Sequence, residues 1–324
     1  MMWALIILIG LFAIPFTVEL MRDGRLERSR KAAPGQFALL SQGVTHYQWI
    51  GPERGPVALC IHGLTTPSYV WHGMAKGLAL MGFRVLIYDL YGRGYSDRTI
   101  GKQNAAFFLK QLDDLLLHEH VEGPVTVFGY SMGGSVATHF TASNPGFVKQ
   151  LILLAPAGMR HLSPWMERAF RTVPILGAWL FLLIYPRDLR RHIQAEAELP
   201  GSVANIATMQ QAETDKRGFF PAVLSSLRGI LRDTAETQHK TIAQAGISVL
   251  AVWGEQDEVI ALTAADILSD WNPNAVQAVI GEAGHGLPYT HTDEILRTLK
   301  ATRSYRHGQA ARAGVHGSVN APTH

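Results

Sequence analysis

The pentapeptide Gly-Tyr-Ser-Met-Gly at residues 129–133 constrains the fold of this chain more than any other stretch. It follows a short apolar run at 125–128 and precedes a helix-compatible run that starts at Ser135. In a strand, Gly-x-Ser-x-Gly, helix arrangement the backbone at the serine is strained, and side chains two positions away would clash. Glycine removes that clash. The motif therefore predicts a sharp strand-to-helix turn that lifts the Ser131 hydroxyl above the edge of a sheet.

Apolar runs along the chain predict a doubly wound α/β sheet that is mostly parallel. Six runs have the composition of buried parallel strands, namely 57–61, 84–88, 125–128, 151–154, 249–253 and 278–280. Helix-length patterns lie between them, near 70–81, over 105–118, after Ser131, and near 293–299. Two further runs, 37–40 and 47–50, predict an antiparallel pair that opens the sheet. This alternation of strand and helix is typical of the α/β class.

The alternation breaks between residues 158 and 242, and we expect this segment to be an inserted helical cap. The core would then consist of residues 37–157 and 243–302. Prolines are expected to end helices within the cap, at Pro164, Pro174, Pro186, Pro200 and Pro221. Residues 173–185 are nearly all apolar but too few to span a bilayer. They indicate a buried cap helix, or else an acyl-chain wall or a lid that touches a membrane.

The N-terminus has the properties of a transmembrane helix. No charged side chain precedes Glu19, and eighteen residues at 1.5 Å each extend about 27 Å, close to the hydrocarbon thickness of a bilayer. Basic residues follow the apolar run rather than precede it, which favours a retained anchor over a cleaved signal peptide. We therefore expect an anchor at 1–21 and a basic linker at 22–36, with the catalytic domain in the cytoplasm. An atypical signal peptide or a helix packed on the domain are the alternatives.

Charge and cysteine content exclude several function classes. The net charge of +3 equals the net charge of residues 22–31, so the rest of the chain is balanced and offers no nucleic-acid-binding face. Cys60 is the only cysteine, which rules out an intrachain disulfide and fits a reducing compartment. The last residues, 303–324, have no apolar periodicity and are expected to form a disordered tail.

Four more motifs accompany the serine turn, and together they resemble the α/β-hydrolase fold superfamily. They are His62-Gly63-Leu64, the run from Asp89 through Gly92-Arg93-Gly94 to Ser96, the run Gly254-Glu255-Gln256-Asp257, and Gly284-His285-Gly286. The resemblance covers about residues 37–299. Within the superfamily the chain is similar to the capped group of esterases, lipases and C–C hydrolases.

The resemblance implies a triad in the chain order Ser131, Asp257, His285. A serine hydroxyl is almost unionised at neutral pH and needs a base, and a histidine with an ordinary pKa near 6.5 suits that task. The aspartate would hold the imidazole in the required tautomer. Glu255 and Glu258 are the alternative carboxylates, and Asp257 matches the family position.

Two backbone N–H groups are expected to bind the oxyanion of the tetrahedral intermediate. One belongs to Met132, the residue after the nucleophile, and the other to Leu64 in the loop after the third strand. We expect His62 to shape that loop and Asp89 to accept structural hydrogen bonds. No metal and no organic cofactor is implied.

A serine at the turn favours acyl transfer, because epoxide-opening and halide-displacing family members use aspartate there. We expect hydrolysis of carboxylic esters, with a lipophilic, monoacylglycerol-like ester as the leading candidate. The open alternatives are a C–C hydrolase of ring-cleavage products, a haloperoxidase or perhydrolase, and a ligand receptor on the same fold. Many of the C–C hydrolases carry tryptophan after the catalytic histidine, where this chain has Gly286.

Overall fold

The structure, a computed structural model, describes residues 2–99, 101–159 and 173–302. Eight strands form one sheet in the spatial order β1-β2-β4-β3-β5-β6-β7-β8. The strands are β1 Gln36–Leu40, β2 Gly43–Ile50, β3 Val57–Ile61, β4 Arg84–Tyr88, β5 Val125–Tyr130, β6 Val148–Leu154, β7 Ser248–Gly254 and β8 Val276–Ile280.

Helices surround the sheet. They are α1 Met2–Leu20, α2 Leu26–Arg30, α3 His72–Leu80, α4 Ala105–His118, α5 Met132–Ser143, α6 Pro174–Glu196, α7 Ile206–Thr214, α8 Phe219–Arg228, α9 Glu236–Gln244, α10 Thr263–Trp271, α11 Leu287–Thr290 and α12 over residues 292–302. A 3₁₀ turn, Ser68–Trp71, leads into α3.

The mostly parallel sheet that the sequence predicts is confirmed. β2 pairs antiparallel with β1 and with β4, and every other neighbouring pair is parallel. All six residues of β5 are buried, because helices cover both faces of the sheet and leave no strand face in water. That double cover is why the central strands are continuous apolar runs in the sequence.

Two apolar cores lie on opposite faces of the sheet. Alternate residues of one strand enter different cores, so that Val127 lies in one and Phe128 in the other. This alternation follows from the two-residue period of a strand. The Cys60 thiol lies in the second core, where burial raises its pKa well above the ordinary value. It is therefore a packed core residue.

Between β6 and β7 the chain leaves the sheet and forms α6, α7 and α8. A third apolar cluster, called the cap cluster below, joins α6 to α8. Its buried members are Phe181, Phe219, Phe220, Val223, Leu224 and Leu227. The predicted helical cap is thus present as a set of helices. The proposed limits of 158 and 242 remain a prediction, since α9 packs against α5 rather than on the cap cluster.

The expectation that prolines end the cap helices is wrong at three positions. Pro174 and Pro221 lie in the first turns of α6 and α8, where the N–H that proline lacks has no partner inside the helix. Pro186 lies inside α6 and is buried. Because α6 packs against α1, α7 and α8, contacts outside the helix hold it together across the missing hydrogen bond. Pro164 lies outside the described residues, as does the predicted tail at 303–324.

Helix α1 is unlike the other helices in its exposure. Only Pro15 and Glu19 are buried along its 19 residues. Among the described residues it is the one helix long and apolar enough to cross a membrane, although signal sequences share that length and composition. Large apolar side chains are exposed from its first turn to its last.

Candidate active site

A strained turn joins β5 to α5 at Ser131. The backbone angles of Ser131 are φ 52° and ψ −121°, in a region that residues with a side chain rarely occupy. A Cβ atom at Gly129 would lie 2.6 Å from the Gly133 carbonyl oxygen, and one at Gly133 would collide with the carbonyls of Ile61 and His62. Gly129 therefore lets β5 pack against the start of α5, and Gly133 lets the turn pack against the end of β3.

Backbone hydrogen bonds with β6, with the residue Ala157 after it and with α5 hold this turn in place. The Ser131 N–H donates to the Leu154 carbonyl at 3.1 Å, and the Ser131 carbonyl accepts from Gly134 at 2.8 Å and Ala157 at 2.9 Å. Because the backbone is fixed on both sides, the strained conformation persists and the hydroxyl keeps one direction.

The structure brings together the three side chains of the predicted triad. His285 Nε2 lies 3.0 Å from Ser131 Oγ, and His285 Nδ1 lies 2.8 Å from Asp257 Oδ2. Asp257 follows β7 and His285 follows β8, so both stand at the carboxyl edge of the sheet, as Ser131 does. Asp257 is 7% exposed and Ser131 8%, which keeps most water away from the relay.

Backbone donors determine which oxygen of Asp257 faces the histidine. The N–H groups of Val259 and Ile260 both donate to Asp257 Oδ1, each at 2.8 Å. Oδ2 therefore faces His285. Because a carboxylate can only accept hydrogen bonds, Nδ1 of the imidazole must be the atom that carries the proton. Nε2 is then the acceptor that faces the serine hydroxyl. This arrangement can take a proton from Ser131.

The alternative carboxylates do not contact the histidine. Glu255 is exposed, and its Oε2 accepts from the Glu282 N–H at 3.2 Å. Glu258 is exposed as well. Of the three acidic side chains after β7, Asp257 is the one that hydrogen-bonds to His285.

Two unpaired backbone donors lie near the serine. The N–H groups of Leu64 and Met132 make no hydrogen bond to any described residue, and Met132 is fully buried at the start of α5. A Cβ at Gly63 would lie 3.3 Å from the Ser131 Cβ, so the loop that carries Leu64 runs directly beside the serine. Buried N–H groups are nearly always paired in proteins. These two are available to a negatively charged oxygen of a bound substrate.

Arg93 holds the loop of Leu64 against the cap, a role that sequence analysis missed. The guanidinium is fully buried and donates from Nε to the Leu64 carbonyl at 3.0 Å. Its Nη2 donates to Ser226 Oγ on α8 at 2.8 Å. Burial lowers the pKa of Arg93 to about 9. In the sequence Arg93 stood only in a Gly-x-Gly turn, a pattern that does not indicate such a contact.

Two tyrosines around His285 were also missed. The Tyr130 hydroxyl donates to the His285 carbonyl at 3.0 Å, and the two rings lie 5.3 Å apart. The Tyr289 hydroxyl donates to Glu196 Oε2, at the end of α6, at 2.7 Å. The Ser202 N–H donates to the Tyr289 carbonyl at 2.7 Å. The loop that carries the histidine is thereby attached both to β5 and to the cap.

His62 occupies a structural position. Its Nε2 accepts from the Leu90 N–H at 2.9 Å and its Nδ1 donates to the Gly63 carbonyl at 2.8 Å. Burial lowers the pKa of His62 to about 4, so the ring is neutral at pH 7.

Asp89 also binds structural partners. Its Oδ1 accepts from the Ser68 N–H at 2.9 Å, and its Oδ2 lies 2.8 Å from His46 Nδ1. Over residues 2–99, 101–159 and 173–302, no group of three or more acidic, histidine or cysteine side chains could hold a metal ion.

Comparison with known proteins places these features in a family. The family model described as alpha/beta hydrolase fold matches residues 56–292, most of the chain. An uncharacterised protein of Mycobacterium tuberculosis is 37% identical over 282 residues, which cover 79% of each chain. Lipase 1 of Psychrobacter immobilis is 25% identical over 80% of each chain. A 2-hydroxymuconate semialdehyde hydrolase of Pseudomonas putida is 26% identical over 67% of this chain and 75% of that protein.

Proposed function

The chain belongs to the α/β-hydrolase fold family, and from that premise we propose that it is a serine hydrolase that cleaves lipophilic carboxylic esters. The observation that carries this proposal is the continuous set of hydrogen bonds from Ser131 through His285 to Asp257. A monoacylglycerol-like ester is the substrate we favour, for reasons that follow from the cap and from α1.

Acylation begins with the Ser131 hydroxyl. As Oγ attacks the ester carbonyl carbon, its proton moves to Nε2 of His285, and the negative charge of Asp257 stabilises the imidazolium that forms. The carbonyl oxygen becomes an oxyanion and accepts hydrogen bonds from the Leu64 and Met132 N–H groups. When the intermediate collapses, His285 returns the proton to the departing alcohol, and the acyl group stays on Ser131.

Deacylation repeats these steps with water. His285 takes a proton from a water molecule, which attacks the acyl carbonyl, and the same two N–H groups stabilise the second oxyanion. The acid is released as His285 returns the proton to Ser131 Oγ. Each group is then restored for the next turnover.

The cap cluster supports a lipophilic substrate. The Leu64 side chain packs both against the core that contains Val127 and against the cap cluster, beside the phenylalanines of α6 and α8. An acyl chain that leaves the carbonyl on this side would meet aromatic and aliphatic groups, and each buried CH₂ would contribute about 0.8 kcal/mol to binding. The lipase among the relatives is consistent with such a substrate.

We propose further that α1 is a retained membrane anchor and that the catalytic domain lies in the cytoplasm. The exposed apolar surface of α1 and the basic residues of 22–31 support this placement. The intact mass of protein from the membrane fraction tests it. A chain shortened by cleavage after the apolar run would make α1 a signal peptide and would contradict the proposal.

The enzymatic proposal is tested by hydrolysis of p-nitrophenyl esters from acetate to palmitate. We expect turnover with an optimum at medium or long acyl chains, and its loss in Ser131→Ala. The matched control is Ser135→Ala, because Ser135 is buried in the next turn of α5 and its hydroxyl bonds to no described residue. Unchanged turnover in Ser131→Ala would show that the nucleophile is wrong.

A second candidate function is C–C bond hydrolysis, which the relative from Pseudomonas putida favours. The same folded protein is therefore assayed with a ring-cleavage dienoic acid. Turnover of this acid without any ester hydrolysis would replace the ester proposal. Folded protein that turns over neither substrate would point to a receptor on the same fold.

A further inference from the structure

We propose that the first half of α6 inserts into the same bilayer leaflet as α1, so that the cap and the anchor together form one membrane-embedded surface. The occupant of this surface is the acyl-chain layer of a lipid bilayer. The inference rests on the proposed membrane anchor, and it adds a second point of insertion, on the cap.

Exposed apolar side chains continue from α1 onto α6. Ile175 is 69% exposed and Leu176 56%, in the first turn of a helix whose residues 174–184 carry no charge. The Trp179 ring stacks on the Phe12 ring of α1 at 5.8 Å between centroids, with 3° between the planes. Phe12 precedes Glu19 by seven residues, or about 10 Å along the helix. If α1 is embedded, Trp179 lies at the same depth.

The end of α1 is attached rigidly to the cap rather than tethered by a free linker. Glu19 is buried, forms an ion pair with Arg22 at 2.8 Å, and accepts from the Gly218 N–H at 2.7 Å. Asp23 exchanges backbone hydrogen bonds with the same loop, donating to Asp215 and accepting from Arg217, both at 2.9 Å. The anchor therefore fixes how the cap faces the bilayer.

A small excess of positive charge lies at this junction. A cavity of about 520 Å³ lies between residues 23–29, which follow α1, and the loop between α7 and α8. Its charged lining residues are the four cations Arg25, Arg98, Lys216 and Arg217 and the two carboxylates Asp23 and Asp215. Arg25 is paired with Asp23, and Arg98 and Lys216 are both paired with Glu213, so the junction keeps a small excess of positive charge, which suits the headgroup layer of an anionic leaflet. The apolar surface of α1 and α6 is thus followed by a polar, weakly cationic junction, as the acyl chains of a leaflet are followed by its headgroups.

The same helix extends from this surface to the candidate active site. Ile184 ends the uncharged half of α6, and Glu196, twelve residues and about 18 Å further along, accepts the hydrogen bond from Tyr289 beside His285. The Leu64 side chain packs against the same cap cluster as Phe181, so apolar contacts connect this half of α6 to the loop beside Ser131. We therefore expect the substrate to come from the bilayer itself.

Single-cysteine labelling of the full chain in vesicles of phosphatidylcholine and phosphatidylglycerol tests the inference. Cys60 is the one native cysteine and is fully buried, so each variant presents one accessible thiol. Ile175→Cys and Leu176→Cys receive an environment-sensitive fluorophore, and lipids with a quencher on the acyl chain are added. Leu80→Cys, at a 92% exposed position on α3, is the matched control, and Ile7→Cys reports on α1.

We expect acyl-chain quenching of the labels at 175, 176 and 7, with a blue shift of their emission, and neither effect at 80. Quenching at 7 without quenching at 175 and 176 would overturn this inference and leave the anchor standing. Absence of quenching at all four positions would overturn the anchor as well. A blue shift at 175 without acyl-chain quenching would show that protein, such as a second copy, covers α6.

Discussion

Replacement of Asp257 by asparagine is the most informative perturbation of the proposed relay, because the structure dictates how the amide must sit. The N–H groups of Val259 and Ile260 require an acceptor where Asp257 Oδ1 now lies. The asparagine oxygen takes that place, so its NH₂ group must face His285. An NH₂ group donates, and Nδ1 of the ring then has to accept. The Nε2 atom consequently carries the proton and cannot take one from Ser131.

The magnitude follows from the charge that is lost. Taking the charges of Asp257 and the imidazolium to be about 4 Å apart, at an effective dielectric constant of about 20, their attraction is about 4 kcal/mol. That corresponds to a fall of about 10³-fold in kcat, to which the wrong tautomer adds. The hydrogen bonds to Val259 and Ile260 are kept, so we expect nearly unchanged stability.

The assay compares kcat for a soluble p-nitrophenyl ester in the wild type, Asp257→Asn and Glu255→Gln. Glu255 is the matched control, since it lies two residues away, is exposed, and does not contact His285. We expect Glu255→Gln to retain wild-type kcat. The reasoning is refuted if Asp257→Asn keeps more than about a tenth of the activity, or if both variants lose activity equally.

Two further predictions concern stability. Tyr289→Phe removes the hydrogen bond to Glu196, and we expect the free energy of unfolding to fall by about 1.5 kcal/mol in urea titrations; an unchanged value would mean that this bond does not stabilise the cap. His239 is fully buried, neither ring nitrogen bonds to a described residue, and burial lowers its pKa to about 4. As the pH falls below about 6.5, His239 becomes protonated in the unfolded state but stays neutral in the folded state. The free energy of unfolding should therefore be lower by about 2 kcal/mol at pH 5 than at pH 8 because of His239. His239→Phe should abolish that part of the pH dependence while the exposed His118→Phe should not, and equal slopes in all three proteins would contradict the assignment.

Local patterns in the sequence were sufficient for much of the backbone. The predicted strands at 57–61 and 84–88 coincide with β3 and β4, because a strand buried on both faces must be apolar at its buried positions. The predicted helix at 105–118 coincides with α4, whose start is marked by the Asn104 side chain accepting from the Phe107 N–H at 3.0 Å. The strained turn at Ser131 was also predictable, since a side chain at either of its glycines would clash with backbone atoms.

The extent of α6 could not be predicted in this way. Pro186 was expected to end a helix, yet α6 continues to Glu196 because it packs against helices from distant parts of the chain. A proline in the sequence indicates that one backbone hydrogen bond of the helix is lost. It does not indicate the tertiary contacts that compensate for that loss.

Motif order in the sequence was enough to nominate Ser131, Asp257 and His285, but three carboxylates within four residues left the choice of acid to the family resemblance. Only the tertiary structure decided which one reaches the imidazole, since Asp257 and His285 are 28 residues apart in the chain. The contacts of Arg93 with Leu64 and Ser226, and of Tyr289 with Glu196, were likewise absent from any local pattern. Short-range sterics and periodicity determine strands, helices and the tight turn, whereas the partners of a polar side chain depend on which loops the folded sheet brings to the same edge.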